Sequence, residues 1–140
     1  MPALRNYHIF ISHAWDYNDD YQTIKRWLNE TPYFLWTDNS VPITRPLPTR
    51  TNAELRKELR ERIATSSCVI ILAGMYAAYS EWIDYEMVTA AAYEKPIIAV
   101  IPWAQERIPI KIQQCACTMI HWQSSSVVQA IRDYAIDRTE

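Results

Sequence analysis

Glycine is nearly missing from this chain: one residue of 140, Gly74, is all there is. That scarcity excludes the glycine-rich phosphate loops, the dinucleotide fingerprint and the P-loop alike, because each needs several glycines at fixed spacing to let backbone approach phosphate. Any nucleotide must be held differently. Cysteine is sparse as well. Cys68, Cys115 and Cys117 form an odd set without zinc-type spacing, so the sequence predicts core thiols rather than a disulfide framework or a structural metal site. His8 and His121 fall in apolar runs with no carboxylate or cysteine at ligand spacing, and no metal is expected. Basic runs are absent too. A formal charge of -2 and a pI near 5.9 give no general attraction to nucleic acid or anionic membrane, so neither is an expected partner. No apolar stretch approaches the roughly 20 residues that span a bilayer, and residues 1–7 lack the apolar core of a secretion signal. A cytoplasmic protein is expected.

What the chain does have is 49% hydrophobic residues, enough at this length for one domain over 1–140 with a sizeable core. Apolar runs at 7–12, 33–37, 68–72, 97–101 and 118–122 read as strands. Between them lie helical patterns: Tyr21, Ile24, Trp27 and Leu28 within 18–30; Leu55, Leu59 and Ile63 after a capping box of Thr51 with Glu54; a helix from Ser80 to about Glu94; and Val127, Val128, Ile131 and Tyr134 after Ser124 to Ser126. The stretch 38–50 contains Pro42, Pro46 and Pro48 and reads as a long loop of the kind that is functional or mobile. Pro102 and Pro109 bound an irregular connection. Runs such as 68–72, apolar at consecutive positions, suit strands covered on both faces. The alternation therefore predicts an α/β fold of three layers, with five parallel strands in a flavodoxin-like order.

In such a sheet, ligands sit beyond the carboxyl ends of the strands. Glu86 has that address. If Ser80 caps its helix, Glu81 has an ordinary place in the first turn, where an acidic side chain complements the helix dipole. Glu86 lies a turn further in, too far for that role, and shares a face with Trp82 and Ile83. Partial desolvation there raises its pKa and strengthens its contacts. Other classes with this architecture fail at the strand ends. A phosphoryl-accepting receiver needs acidic residues where Ser12, His13, Ala73 and Gly74 stand, and a flavodoxin needs a hydroxyl-rich loop where Ser12, His13, Ala14, Trp15 and Asp16 offer one hydroxyl and a bulky indole.

The strand ends instead offer Ser12 with His13, Asp38 with Asn39, and Trp82 with Glu86. Ile9 to Ala14 resembles the opening box of TIR domains, and Ser80 to Glu86 resembles their catalytic helix. Asn39, Ser40, Val41 and Pro42 are similar to the TIR-like branch found among bacterial Thoeris antiphage proteins. The resemblance covers essentially the whole chain, with the motifs in order. It departs from common TIR patterns in the second loop, which has three prolines and no glycine, and no attached sensor or adaptor domain is expected.

The resemblance implies cleavage of the bond between nicotinamide and ribose in NAD, a substrate rather than a cofactor. Glu86 matches the glutamate that contacts the ribose hydroxyls. A carboxylate beside the departing base stabilises a ribosyl cation, as in glycoside cleavage, and nicotinamide with a quaternary ring nitrogen leaves without a general acid. Asp84 is no substitute, since two residues along a helix it points about 160° away. Trp82 matches an aromatic that stacks on substrate, or else it packs the helix on the sheet. Ser12 and His13 contact ribose or phosphate, or else they satisfy the turn after the first strand. Asp38 and Asn39 bind substrate or simply make a turn.

Thoeris-type relatives pass the ribosyl cation to a second group, giving a cyclic or conjugated ADP-ribose signal. The implied partners are a phage-derived trigger, a separate effector reached through that product, and a second copy of the chain in a homo-oligomer. The alternative is a non-catalytic TIR interaction module working through the 38–50 loop. A third reading keeps Glu86 but takes another N-glycoside.

Overall fold

The computed structural model describes residues 5–12, 18–40, 52–104 and 107–136. Five strands, β1 (Asn6–Ile11), β2 (Leu35–Asp38), β3 (Cys68–Leu72), β4 (Ile97–Ile101) and β5 (Thr118–His121), alternate with α1 (Asn18–Glu30), α2 (Asn52–Ala64), α3 (Tyr76–Ala92), α4 (Ile110–Cys115) and α5 (Ser124–Tyr134). All strand pairs are parallel, in the order β2-β1-β3-β4-β5. The fold is the α/β sheet flanked by helices that the alternation predicts.

Burial follows from position in the sheet. β3 and β4 are buried at every residue, as consecutive apolar side chains require when helices cover both faces. β2 and β5 lie at the edges, and there burial alternates with the period of two set by the pleat. From β1 the chain steps outward to β2, whereas from β3 it steps the other way to β4. Right-handed crossovers therefore put α1 on one face and α2, α3 and α4 on the other. α5 joins α1, and α2 packs along α3.

α3 holds to the sheet through Ile83, Met87 and Ala90, all nearly inaccessible. Truncating Ile83 or Met87 to alanine would cost about 2–5 kcal/mol. Before α3 runs a 3-10 turn, Ala73–Met75, with Gly74 at its centre. A Cβ on Gly74 would come 3.0 Å from Cγ of Pro102, so close approach to the end of β4 accounts for the one glycine. Elsewhere the shortage shows: the left-handed positions after α1 and α3 are filled by Tyr33 (φ 57°) and Glu94 (φ 56°). Glu94 closes α3 where glycine is usual, with the Lys95 N–H donating to Ala90 O at 2.8 Å.

Three elements depart from expectation. α3 begins at Tyr76 rather than Ser80, but its backbone breaks at Tyr79 (φ -132°, ψ 30°), so regular helix resumes at Ser80. The described residues between Pro102 and Pro109 are irregular as expected, but after them comes a six-residue helix, α4, for which the sequence predicts no element; it buries Ile112, and six residues are too few for a periodic signal. β2 starts at Leu35, two residues late, because Tyr33 takes the left-handed turn. The Thr51 cap, His13 and the three prolines of the second loop lie outside the described residues. Among the described residues no helix is long and apolar enough to cross a membrane.

Candidate functional site

Between β1 and β3 the direction of strand order reverses, which is where an open parallel sheet leaves a crevice at its carboxyl edge. β1 delivers Ser12 to that point. Its backbone N–H still donates to Ile70 O on β3 at 2.9 Å, so the residue is held as an extension of the sheet. Ile11 N–H donates to the Ser40 hydroxyl at 2.9 Å, which fixes the same strand end from the β2 side. α3 brings Glu86 from above. The Ser12 hydroxyl and Glu86 Oε1 are 2.5 Å apart, a hydrogen bond joining residues 74 positions distant in sequence.

Ser12 is 2% exposed and Glu86 5%. Burial raises the Glu86 pKa to about 8, against a smaller downward pull from the Ser12 hydrogen bond. No cation is paired with this carboxyl among the described residues, so it has one neutral partner. A carboxylic group poised near neutrality at a strand-end crevice marks a candidate catalytic position on physical grounds.

Trp82 stands one turn before Glu86 and is half-buried against the core. The Arg56 guanidinium of α2 lies 5.8 Å from its ring centroid and 5.5 Å from that of Tyr85. The indole therefore lies against α2, one turn along α3 from Glu86. Asp84 turns elsewhere and accepts a hydrogen bond from Tyr76 OH at 2.7 Å.

Asp38 and Asn39 are not brought to Glu86. Asp38 pairs with Ile9, and Ser12 is three residues further along β1, about 10 Å at the rise of a strand. Its carboxylate accepts from the Tyr21 hydroxyl and from Ser40 N–H at 3.0 Å, with Lys25 Nζ at 3.3 Å. Burial pushes its pKa up, but the hydrogen bonds from Tyr21 and Ser40 and the charge of Lys25 together hold it below the usual value. Asn39 ties β2 to the end of α2: its amide nitrogen lies 2.7 Å from Arg62 O and 2.9 Å from the hydroxyls of Thr65 and Ser66. Two residues enter the arrangement without having been singled out from the sequence. Ser40 carries a weak local signal, an aspartate two positions earlier able to form an Asx turn. Arg56 carries none, since only the packing of α2 on α3 brings it to Trp82.

Among the described residues no group of three His, Cys, Asp or Glu side chains could hold a metal ion. Asp38, Asn39, Ser12 and Glu86 offer neither the number nor the convergence of ligands.

No curated protein matches the chain. Among solved structures, the Clostridium botulinum CMP N-glycosidase BcmB superposes with a TM-score of 0.56 at 13% identity, over 89% of this chain and 98% of that one. At such low identity the likeness is one of fold. The family model of the Thoeris protein ThsB TIR-like domain matches residues 10–107, a span that holds Ser12, Trp82 and Glu86. By that match over most of its length, the chain belongs to the Thoeris ThsB TIR-like domain family.

Proposed function

We propose that this protein is an NAD-cleaving enzyme of Thoeris-type antiphage defence, with Glu86 as its catalytic residue. The observation that carries the reading is the buried Glu86–Ser12 pair at the switch point between β1 and β3. Without substrate, Glu86 keeps its proton at neutral pH, since its pKa is raised to about 8 by burial. A quaternary nicotinamide nitrogen brings a positive charge, and an opposite charge within ~4–6 Å favours the ionised carboxylate. Binding thus expels the proton. When the bond from ribose C1′ to the ring nitrogen breaks, its electron pair goes to nicotinamide, which leaves neutral. The positive charge passes to C1′ and the ring oxygen, beside Glu86, where little water competes for the carboxylate. The Ser12 hydroxyl orients that carboxylate. Trp82 offers a flat face one turn away for the departing ring. His13 completes the ribose and phosphate contacts, while Asp38 and Asn39 support the site from the end of β2.

An acceptor group then attacks C1′. Water gives ADP-ribose; a hydroxyl or ring nitrogen of the nucleotide, or of a second molecule, gives the cyclic or conjugated ADP-ribose that signals to a separate effector. A phage-derived trigger and self-association control when this happens, in the cytoplasm.

The N-glycosidase named among the solved structures favours a second reading in the same class, cleavage of another nucleotide's N-glycosidic bond. One experiment separates the two. The protein and its Glu86→Gln variant are incubated with NAD or CMP, with and without lysate of phage-infected cells, and the released base is followed by chromatography. Nicotinamide release that falls by a factor on the order of 100 or more in the variant supports the proposal. Release unaffected by the substitution sinks it. Cytosine in place of nicotinamide moves the assignment to the second reading, and normal signalling by Glu86→Gln in cells favours the interaction module.

A further inference from the structure

We infer that Arg56 and Arg60, on α2 beside Trp82 and Tyr85, form a pyrophosphate-binding site that positions the dinucleotide. The inference rests on the reading of Glu86 given above and names how the rest of that substrate is held. Arg56 and Arg60 are four apart on α2, hence on one face, and both are exposed toward α3. The Arg56 guanidinium lies 5.5 Å from the centroid of Tyr85 and 5.8 Å from that of Trp82. Arg60 Nη1 donates to Tyr85 OH at 2.9 Å, and the same hydroxyl lies 3.4 Å from Arg56 O. Tyr85 thus fixes both arginines, and Tyr85 is the residue next to Glu86.

The chemistry follows from how a guanidinium bonds. Contact with aromatic rings uses its faces, while its five N–H donors lie in the plane and point outward, in the fork that matches phosphate oxygens. Neither arginine is paired with a carboxylate among the described residues. Glu54 and Glu58 flank Arg56 by two positions and so point about 160° away round the helix. Trp82 and Glu86, by contrast, are only about 40° apart on α3. A ribose with C1′ at Glu86 can carry its 5′ phosphate past Trp82 and Tyr85 toward these two guanidinium groups. In a chain of net charge -2, offsetting a pyrophosphate needs a local group of cations, which these two arginines supply.

A purely structural role, latching α2 to α3, would make the substitution affect every ligand alike. Binding of ADP-ribose and of phosphate-free nicotinamide riboside is therefore measured by titration calorimetry on the wild type, Arg56→Gln and Arg56→Lys, with thermal melts as a check on folding. The expected result is that Arg56→Gln weakens ADP-ribose roughly tenfold or more, the scale of one charge-assisted hydrogen bond, and leaves nicotinamide riboside unchanged. Arg56→Lys should recover part of the affinity. Equal affinity of wild type and Arg56→Gln for ADP-ribose overturns the inference, as does equal weakening of both ligands or no ADP-ribose binding by the wild type at millimolar concentration. Nicotinamide release that survives Glu86→Gln would defeat the catalytic reading alone, and leaves the ADP-ribose comparison to stand or fall by itself.

Discussion

Two carboxyl groups, the buried Glu86 and the half-buried Asp38, are treated in opposite ways. Burial is the largest influence on each and acts upward on both. At Asp38 it is overcome, because Tyr21, Ser40 N–H and Lys25 all favour the charged form. At Glu86 it prevails, because a single serine hydroxyl is the partner. The difference teaches that burial and donors act together: Glu86 is both deeper and poorer in donors than Asp38. Asp38 is ionised and fully occupied in joining α1 to β2. Glu86 is held near neutrality with room to gain from a cationic substrate, which is the property that general acid–base and ion-stabilising groups are tuned to have.

The contrast can be broken most decisively through the pH dependence of stability. Glu86 has a folded pKa near 8 against an ordinary glutamate value of 4.5, so between those values the unfolded chain is ionised while the native state still binds the proton. Stability should therefore fall as pH rises from about 4.5 to 8 and level off above. Glu86→Gln should remove that fall, gaining on the order of a few kcal/mol over wild type at pH 8 and little at pH 4 in urea unfolding. Parallel curves for the two proteins would mean that Glu86 is not desolvated.

Asp38→Asn should act with the opposite sign. A depressed folded pKa contributes stability that is present above the ordinary aspartate value of 3.8 and lost as pH falls through the folded pKa. The variant should lose about 2 kcal/mol at pH 7, because Tyr21 and Lys25 lose a charged acceptor, and the gap should close in strong acid. The same urea series reads it, and a pH-independent gap would show that shape rather than charge matters there.

Ser12→Ala is the finest test. Losing one hydrogen bond should cost about 1 kcal/mol, and losing the one contact that lowers the Glu86 pKa should move the plateau of the stability curve to higher pH. A plateau that stays in place would mean that the hydroxyl does not restrain the carboxyl.

These sites differ in how far the chain announces them. β3 and β4 and the helix α1 stand where the periodicity of their residues places them, because a continuous apolar run or a repeat of 3.6 is a local property. α4 escapes, since a helix of six residues with one buried isoleucine is stabilised by tertiary packing, such as its contact with α3, rather than by itself. Glu86 can be singled out because it lacks a local role on its helix. Asp38 and Asn39 look equally exposed to ligand on the sequence, yet strand register sets them lower than Ser12, and register is a relation between strands.

By itself the sequence determined the parallel α/β layering, the exclusion of glycine-loop nucleotide sites and the position of Glu86 near a strand end, because each depends on residue type and local spacing. The tertiary structure decided which polar groups meet. It joined Glu86 to Ser12 across 74 residues, spent Asp38 on Tyr21 and Lys25, and set Arg56 over Trp82 and Tyr85. Burial and charge pairing are sums over neighbours from several elements, so no single stretch of chain could fix them.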